Sequence, residues 1–125
     1  MISFEDFILD EDSPIYLQII QYVKRGIVSG RIKDGEEILS RRTLSVLLGV
    51  NPGTIQKAYH LLEEEGILHS RAGAKSCVEV QEDRKRQIRM SLLQQESGAW
   101  IGAMKQMGVT KEEAVKLAEL FWDEV

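Results

Sequence analysis

Short polar and cationic side chains that could bind DNA are concentrated between residues 40 and 75. One group lies where a helix is predicted to begin and consists of Asn51, Gly53, Thr54, Gln56 and Lys57. The major groove, about 12 Å wide, admits one helix, and residues near the N-terminus of that helix reach base edges and phosphates. The helix dipole and the free backbone N–H groups there also favour a phosphate. This group therefore predicts a DNA-recognition helix.

Two further basic groups lie on either side of this predicted helix in the sequence. Ser40, Arg41 and Arg42 begin the preceding helical segment, where the arginines could reach the DNA backbone beside the groove. Arg71 and Lys75 lie at the tip of a predicted hairpin and could reach the adjacent minor groove or its phosphates. An arginine pair alone is ordinarily a solvated surface. The coincidence of three such groups on one supersecondary unit is what favours DNA.

Helix caps and apolar stripes predict the elements that hold these residues. Ser13 as N-cap, with Pro14 at the first helical position, begins a first helix that Gly30 ends. Its apolar stripe is Tyr16, Ile19, Ile20, Val23 and Ile27. Ser40 caps a second, short helix that Gly49 ends. The residues of this helix that are expected to face inward are Leu44, Leu47 and Leu48.

The predicted recognition helix and a hairpin follow. Val50 is expected to be a buried turn residue, and Asn51-Pro52 repeats the cap-plus-proline signal. The next apolar stripe is Ile55, Ala58, Tyr59 and Leu62, with Gly66 as the natural end of the helix. Residues 67–70 and 76–80 are strand-like runs. The predicted fold is mainly α with a small β-hairpin, a winged helix-turn-helix followed by a short two-helix dimerisation region.

Residues 81–125 predict two amphipathic helices. The first runs from about Asp83 to Gly108, and a capping box of Thr110 and Glu113 begins the second. The expected buried positions are Ile88, Leu92, Leu93, Trp100, Met104 and Met107, then Ala114, Leu117, Ala118 and Phe121. Helices of this length cannot close a core alone, so a second copy is expected to cover them. The predicted homodimer interface comprises Leu92, Trp100, Met104, Met107, Leu117, Phe121 and Trp122.

Several residues of these segments have two interpretations. A cavity among the aromatic and methionine residues of the last two helices could hold a small-molecule effector of unknown identity, although such clusters are more often packing. The basic run Arg84, Lys85, Arg86 and Arg89 either approaches the DNA flank or is solvated. Cys77 and His69 are expected to be a buried thiol and a strand imidazole rather than a redox switch, and His60 a surface residue.

The charge distribution divides the chain into three parts. The 125 residues carry a net charge of −4 and suit one folded domain. Residues 1–12, the predicted acidic N-terminal arm, carry −5. Residues 13–80, the predicted winged helix-turn-helix DNA-binding domain, carry +2, and residues 81–125, the predicted helical dimerisation region, carry −1. The basic part therefore coincides with the candidate DNA-binding residues.

The sequence argues against several other classes of protein. A single cysteine cannot form an internal disulfide, and with two histidines no metal cluster or other cofactor is expected. No Gly-rich phosphate loop or nucleophile motif is present, so we expect no enzymatic activity. The absence of a bilayer-length apolar stretch and of a basic, apolar leader predicts a cytoplasmic protein without a membrane partner.

Residues 14–68 resemble the DNA-binding domain of the GntR family of bacterial regulators. The motifs that carry the resemblance are PIYLQI at 14–19, GRIKDGE at 30–36, LSRRTL at 39–44, LGVNPGTI at 48–55 and LEEEGIL at 62–68. The Val-Asn-Pro motif and the short C-terminal part are similar to the YtrA subfamily. The resemblance implies a dimeric repressor on a palindromic operator of double-stranded DNA, commonly in an operon with an ABC transporter.

The resemblance also implies roles for individual residues. The family's conserved operator-contacting arginine corresponds to Arg42, with Ser40 and Arg41 beside it, and the family's recognition helix begins at residues 51–54. Many members have an arginine where this chain has Pro52, so Gln56 or Lys57 would supply that base contact instead. Other departures are Leu39 in place of a usual proline and a wing that lacks the family's second glycine.

A second hypothesis is a winged-helix adaptor that binds a protein instead of DNA. The acidic N-terminal arm and the net charge of −4 would suit such a partner.

Overall fold

The fold is built from five helices and one hairpin. A computed structural model describes the backbone of residues 1–125 and every side chain except that of Ala74, which belongs to the predicted wing and lies outside the described part. The elements are α1 Ile15–Ser29, α2 Arg41–Leu48, α3 Pro52–Glu64, β1 Leu68–Arg71, β2 Ala74–Val78, α4 Glu82–Gln106, α5 Lys111–Phe121 and a 3₁₀ turn Trp122–Glu124. None of the described helices has the length and apolar character needed to span a membrane.

The chain forms two compact units, Met1–Arg89 and Met90–Val125. In the first unit α1 and α2 both pack on α3. The predicted stripes of these helices supply much of the core, and its most deeply buried side chains include Ile19, Val23, Leu44, Ile55, Tyr59 and Leu62. The helix periodicity therefore identified correctly which faces of α1 and α3 turn inward.

The start of α1 differs from the prediction. Pro14, not Ser13, is the N-cap residue, and no side chain caps this helix. The side-chain amide of Gln18 instead holds the incoming chain, because it accepts a hydrogen bond from the Asp10 N–H and donates to the carbonyls of Asp10 and Ser13. The three distances are 3.0, 3.0 and 2.7 Å. A long-range clamp thus replaces the local cap that Ser13 was expected to form.

The first residues of the chain pack on the same unit. Ile2 and Phe4 are buried. The Tyr22 hydroxyl donates to the Ser3 carbonyl at 2.7 Å, and the Phe4 and Phe7 rings each lie 5.1 Å from the Tyr22 ring. The acidic N-terminal arm is therefore held against α1 by the aromatic rings that alternate with its acidic residues.

The turn between α2 and α3 is fixed by a buried serine. Gly49 ends α2 with φ +65°, in the left-handed region that favours glycine. The Ser45 hydroxyl donates to the Val50 carbonyl at 2.6 Å, while the Val50 N–H donates to the Ser45 carbonyl at 3.1 Å. Ser45 is 7% exposed. Two hydrogen bonds between the same pair of residues thereby set where α3 begins.

This serine also explains a wrong prediction about α2. Leu47 was expected to face inward and is 59% exposed, whereas Leu44 is buried and Leu48 is half-buried. Because Ser45 occupies the inward position beside Leu44, the eight-residue helix is rotated so that Leu47 points to the opposite side. Val50, expected to be buried, is half-buried.

The hairpin is tighter than predicted. Its strands are Leu68–Arg71 and Ala74–Val78 rather than 67–70 and 76–80, so the basic tip of five residues shrinks to a turn of two that contains Gly73 at φ +69°. The segment before α2 pairs with the second strand, since the Ile38 N–H donates to the Ser76 carbonyl and the Val78 N–H to the Glu36 carbonyl. Backbone hydrogen bonds thus attach the wing to the chain that leads into α2.

The second unit consists of the end of α4, α5 and the 3₁₀ turn. Thr110 caps α5 by accepting a hydrogen bond from the Glu113 N–H at 3.2 Å, which is the N-cap half of the predicted capping box. Within the described chain α5 buries none of its residues. The predicted buried face of Ala114, Leu117, Ala118 and Phe121 is therefore not buried in a single copy, because only the end of α4 and the 3₁₀ turn accompany α5 in this unit.

Replacing the turn serine should loosen the α2–α3 turn. Ser45→Ala leaves the half-buried Val50 carbonyl without its side-chain donor, so we expect the free energy of unfolding to fall by roughly 1–3 kcal/mol. Urea unfolding followed by circular dichroism measures this change. Ser91→Ala, at an exposed position of α4, is the matched control. Equal midpoints for both variants would contradict the proposed importance of the hydrogen bond.

Candidate nucleic-acid interface

The N-terminus of α3 presents the predicted base-contacting residues to solvent. Asn51 is the N-cap and accepts a hydrogen bond from the Gly53 N–H at 2.7 Å, with Pro52 at the first helical position, as the sequence predicts. Asn51, Gly53, Gln56 and Lys57 are exposed and Thr54 is half-buried. The opposite face of α3 is the core. The helix is therefore held by its apolar side and offers its polar side as an open surface.

Gly53 keeps this helix start compact. A Cβ atom at Gly53 would lie 3.1 Å from the Asn51 side-chain oxygen that forms the cap. A larger residue would therefore press on the N-cap, while glycine also leaves the backbone accessible to a ligand. The cap uses the side-chain oxygen of Asn51, so its amide nitrogen is available for an external contact.

The two arginines at the start of α2 have different surroundings. Arg42 is exposed, and within the described part of the chain its side chain forms no hydrogen bond or ion pair. Arg41 pairs with Glu63 of α3 at 2.5 Å and lies 5.3 Å above the Tyr59 ring. Arg41 is therefore held against α3, and the free cation at this helix start is Arg42.

Tyr59 and Ser40 complete the junction of α2 with α3. The Tyr59 hydroxyl donates to the Leu39 carbonyl at 2.7 Å. Burial raises the pKa of Tyr59 well above its ordinary value, so the hydroxyl stays protonated and keeps donating. The Ser40 hydroxyl accepts from the Thr43 N–H at 3.1 Å and donates to the Thr43 hydroxyl at 2.8 Å. This confirms the predicted cap and shows that the Ser40 hydroxyl is already satisfied.

An open cleft brings the start of α2 and the wing together. Its volume is about 890 Å³, and it is lined on one side by Ser40, Arg41 and Arg42 and on the other by Gly73 and Lys75. Both Arg42 and Lys75 are exposed at this cleft. Two cations from separate elements thus share one concave surface, as required of groups that bind successive phosphates.

The remaining hairpin residues are committed to internal contacts. Arg71 is ion-paired with Glu79, which shields its charge. The His69 Nε2 atom lies 2.8 Å from the Gly66 carbonyl and 3.1 Å from the Glu79 carbonyl, which makes it a donor to the residues that flank the hairpin. Cys77 is 1% exposed, and burial raises the pKa of its thiol. Cys77 is thus a buried thiol and His69 a residue of β1, as the sequence predicts.

Three of the four bases in the run at the start of α4 are also paired. Arg84 lies 3.6 Å from Glu65, and Lys85 and Arg86 form ion pairs with the acids three residues before them. Among the two interpretations of this run, the geometry favours a solvated, internally paired surface.

Five of the seven predicted interface residues, all except Leu92 and Met107, line an apolar cleft of about 1060 Å³ in the second unit. It is lined chiefly by Trp100, Met104, Leu117, Ala118, Phe121 and Trp122. The exposed members of the predicted interface are Trp100, Met107, Phe121 and Trp122, and the side chain of Trp122 is 77% exposed. Met104 and Leu117 are half-buried. Leu92 is only 8% exposed and leaves little surface for a partner. Six of the seven predicted residues thus remain accessible to a second copy.

Two contacts that shape this region were missed by the sequence analysis. Ser45 could have been suspected, because it is a polar residue on the inward face of α2 one turn before Gly49. The contact of Lys57 with Tyr16, whose ring centroid lies 4.1 Å from the Lys57 ammonium nitrogen, joins residues far apart in sequence and leaves no periodic signal.

Comparisons with known proteins agree with this geometry. The profile described as "Bacterial regulatory proteins, gntR family" matches residues 15–78. The HTH-type transcriptional repressor YtrA of Bacillus subtilis is 43% identical over 61 residues, which are 49% of this chain and 47% of YtrA. The aligned segment thus covers less than half of that relative.

Solved structures extend the similarity to both units. A GntR family transcriptional regulator from Listeria monocytogenes is 33% identical, with a TM-score of 0.78, and the match covers 89% of this chain and 97% of that one. YtrA from Sulfolobus acidocaldarius, a GntR-family transcription factor, is 27% identical with a TM-score of 0.54, covering 94% and 95%. The predicted winged helix-turn-helix with C-terminal helices is confirmed.

The two arginines of α2 should differ in their effect on stability. Arg41→Ala removes the pair with Glu63 and the contact with Tyr59, and because the pair is partly exposed we expect a loss of about 1 kcal/mol in the free energy of unfolding. Arg42→Ala, the matched control in the same turn, should change it by less than about 0.5 kcal/mol. Urea unfolding midpoints measure both. A larger effect for Arg42 would show that the contacts of Arg41 are not stabilising.

Proposed function

Because the chain belongs to the GntR family of bacterial DNA-binding transcriptional regulators, within its YtrA subfamily, we propose that it is a dimeric repressor of a palindromic operator. The observation that carries the proposal is the exposed N-terminus of α3, together with Arg42 and Lys75 in one open cleft that Tyr59 of the same helix also lines. The resemblance extends the proposal to the regulated genes, an operon that encodes an ABC transporter.

The proposed DNA contacts divide by chemistry. Asn51, Gly53, Thr54 and Gln56 face the base edges, and a glutamine can bind adenine through two hydrogen bonds. Arg42, Lys57 and Lys75 contact phosphates, because these are the site's cations without an acidic partner among the described residues. Ser40 and Arg41 act mainly by fixing the start of α2, and Arg71 contributes a charge that Glu79 partly neutralises.

The number of available cations sets an expectation for salt dependence. Three phosphate contacts in each protomer give six in a dimer, so the logarithm of the affinity should fall with the logarithm of the salt concentration with a slope of roughly −5. A protein adaptor would show no such dependence. The exposed cations and the absence of a covering segment over α3, within the described residues, favour DNA over the adaptor hypothesis.

The second copy is proposed to bind through the second unit. Trp100, Met107, Phe121 and Trp122 expose large apolar surfaces. Burial of such surfaces is the main favourable contribution to association, and a two-fold symmetric pair would cover both copies at once. We therefore assign the apolar cleft of this unit to the partner protomer.

Selection from a random duplex library should recover the operator. We expect the protein to enrich an inverted repeat whose half-sites lie about one helical turn, or a multiple of it, apart. Arg42→Ala should then weaken binding to all sequences and lower the salt slope by about one per protomer, whereas Gln56→Ala should relax preference at one base pair of each half-site. Fluorescence anisotropy measures the affinities.

The matched control for Arg42→Ala is Lys116→Ala, which removes one positive charge from α5 and should leave the slope unchanged. Failure to enrich any sequence, with no salt-dependent affinity for duplex DNA, would overturn the proposed function.

Removing the exposed aromatic side chains should separate the protomers. The double variant Phe121→Ala and Trp122→Ala is expected to sediment as a monomer at micromolar concentration, while the unmodified chain sediments at twice its 14.2 kDa mass. Ile8→Ala, which trims an equally exposed apolar residue of the first unit, is the control. A monomeric unmodified chain in analytical ultracentrifugation would contradict the dimer.

A further inference from the structure

We propose that Tyr16 is a positioning residue for DNA binding, whose ring holds the Lys57 ammonium group ready to contact a phosphate. The inference rests on the proposed function. Its basis is the contact between the first turn of α1 and the exposed face of α3, where the Lys57 nitrogen lies 4.1 Å from the centroid of the Tyr16 ring. This distance is well within the range of about 6 Å for a cation–π interaction.

The ring differs from the acids that hold other cations of this unit. Arg41 is paired with Glu63, Lys24 with Glu65 and Arg71 with Glu79, and each pair cancels the charge that a phosphate would attract. A tyrosine ring is neutral, so a lysine held on its face keeps its full positive charge. No acidic side chain in the described part of the chain pairs with Lys57, which remains exposed.

The location of Lys57 on α3 gives this cation a distinct position. Side chains two positions apart on a helix point about 200° from each other. Tyr59 is buried, so Lys57 points outward from the core, where it lies against Tyr16 of α1. Arg42 comes from the start of α2, so the two cations are supplied by different helices and can bind different phosphates.

Tyr16 is itself held firmly enough to position a flexible side chain. It is half-buried, and Ile19 and Ile20 in the next turn are part of the core. The three hydrogen bonds of the Gln18 amide hold the chain that enters this turn. Lysine has a large rotamer entropy to lose when it binds a phosphate. An ammonium group that the ring already positions therefore loses less rotamer entropy when it binds a phosphate.

A double-mutant cycle measures this coupling directly. Tyr16→Leu, Lys57→Ala, the double variant and Tyr16→Phe are titrated by fluorescence anisotropy against the duplex that the unmodified protein selects, at several salt concentrations. We expect Lys57→Ala to lower the salt slope by about one per protomer. Tyr16→Leu should weaken binding by about two- to five-fold per protomer, and Tyr16→Phe, which keeps the ring, should bind normally. In the Lys57→Ala background Tyr16→Leu should have no further effect.

The matched control is Tyr22→Leu on the same helix. Tyr22 also carries a cation on its ring, the Arg31 guanidinium at 4.3 Å, but it supports the N-terminal arm instead of the recognition helix. Its effect on DNA affinity should therefore be the same with and without Lys57. Urea unfolding of every variant separates lost stability from lost binding.

Three results would overturn the proposal. Equal weakening by Tyr16→Leu in the presence and absence of Lys57 would show that Tyr16 only supports the fold. Tighter binding by Tyr16→Leu would show that the ring withholds the lysine from DNA. If the unmodified protein selects no duplex, the proposed function fails and this role fails with it, whereas normal selection without coupling refutes the role of Tyr16 alone.

Discussion

The hydrogen-bonded pair of Ser45 and Val50 is the constraint on which the candidate interface depends. It closes the turn after Gly49 and determines where α3 begins. The N-cap at Asn51, the inward face of α3 and the outward position of Lys57 follow from that starting point because helix geometry fixes each later residue at 100° intervals. The hydrogen bond from the Tyr59 hydroxyl to the Leu39 carbonyl joins α3 to the residue just before α2. An error of one residue in the turn would rotate the polar face of α3 into the core.

An acidic chain can present a cationic surface because some of its bases are paired with nearby acids while others are not. Arg41 pairs with Glu63 and Arg71 with Glu79, so both arginines are less available to a phosphate. Lys85 and Arg86 at the start of α4 pair with neighbouring acids. Such pairs contribute little to stability individually. They do determine which cations of the candidate interface remain available, and these are Arg42 at the start of α2, Lys75 on the wing and Lys57 on the outer face of α3. The net charge of −4 is therefore a poor guide to the field at this surface.

Local signals made much of the fold predictable. Helix caps, helix ends and apolar stripes each depend on residues that are close together in the sequence. The features predicted in this way are the caps Ser40 and Asn51, the helix ends Gly30 and Gly49 and the stripe of α3. The exposure of Leu47 was predicted wrongly because periodicity cannot show that a serine takes an inward position. The clamp of Gln18 on Asp10 and the contacts of Arg41 and Lys57 join separate elements, so only the folded chain reveals them. The motifs at 14–68 identified the family and implied an operator contact for Arg42. They did not show that Arg41 is paired while Arg42 is free.

The small number of free cations at the candidate interface and the uncovered apolar face of the second unit are connected in physical terms. Three phosphate contacts give one protomer only a weak, salt-sensitive hold on DNA. Two protomers joined by a stable interface would bind DNA more tightly. Once the first protomer is bound, the interface holds the second at a high effective concentration near its half-site. A helix such as α5, which buries none of its residues within the described chain, is costly in a monomer and useful only if a partner covers it. Dimerisation would therefore supply both the missing core of the second unit and the missing affinity of the first.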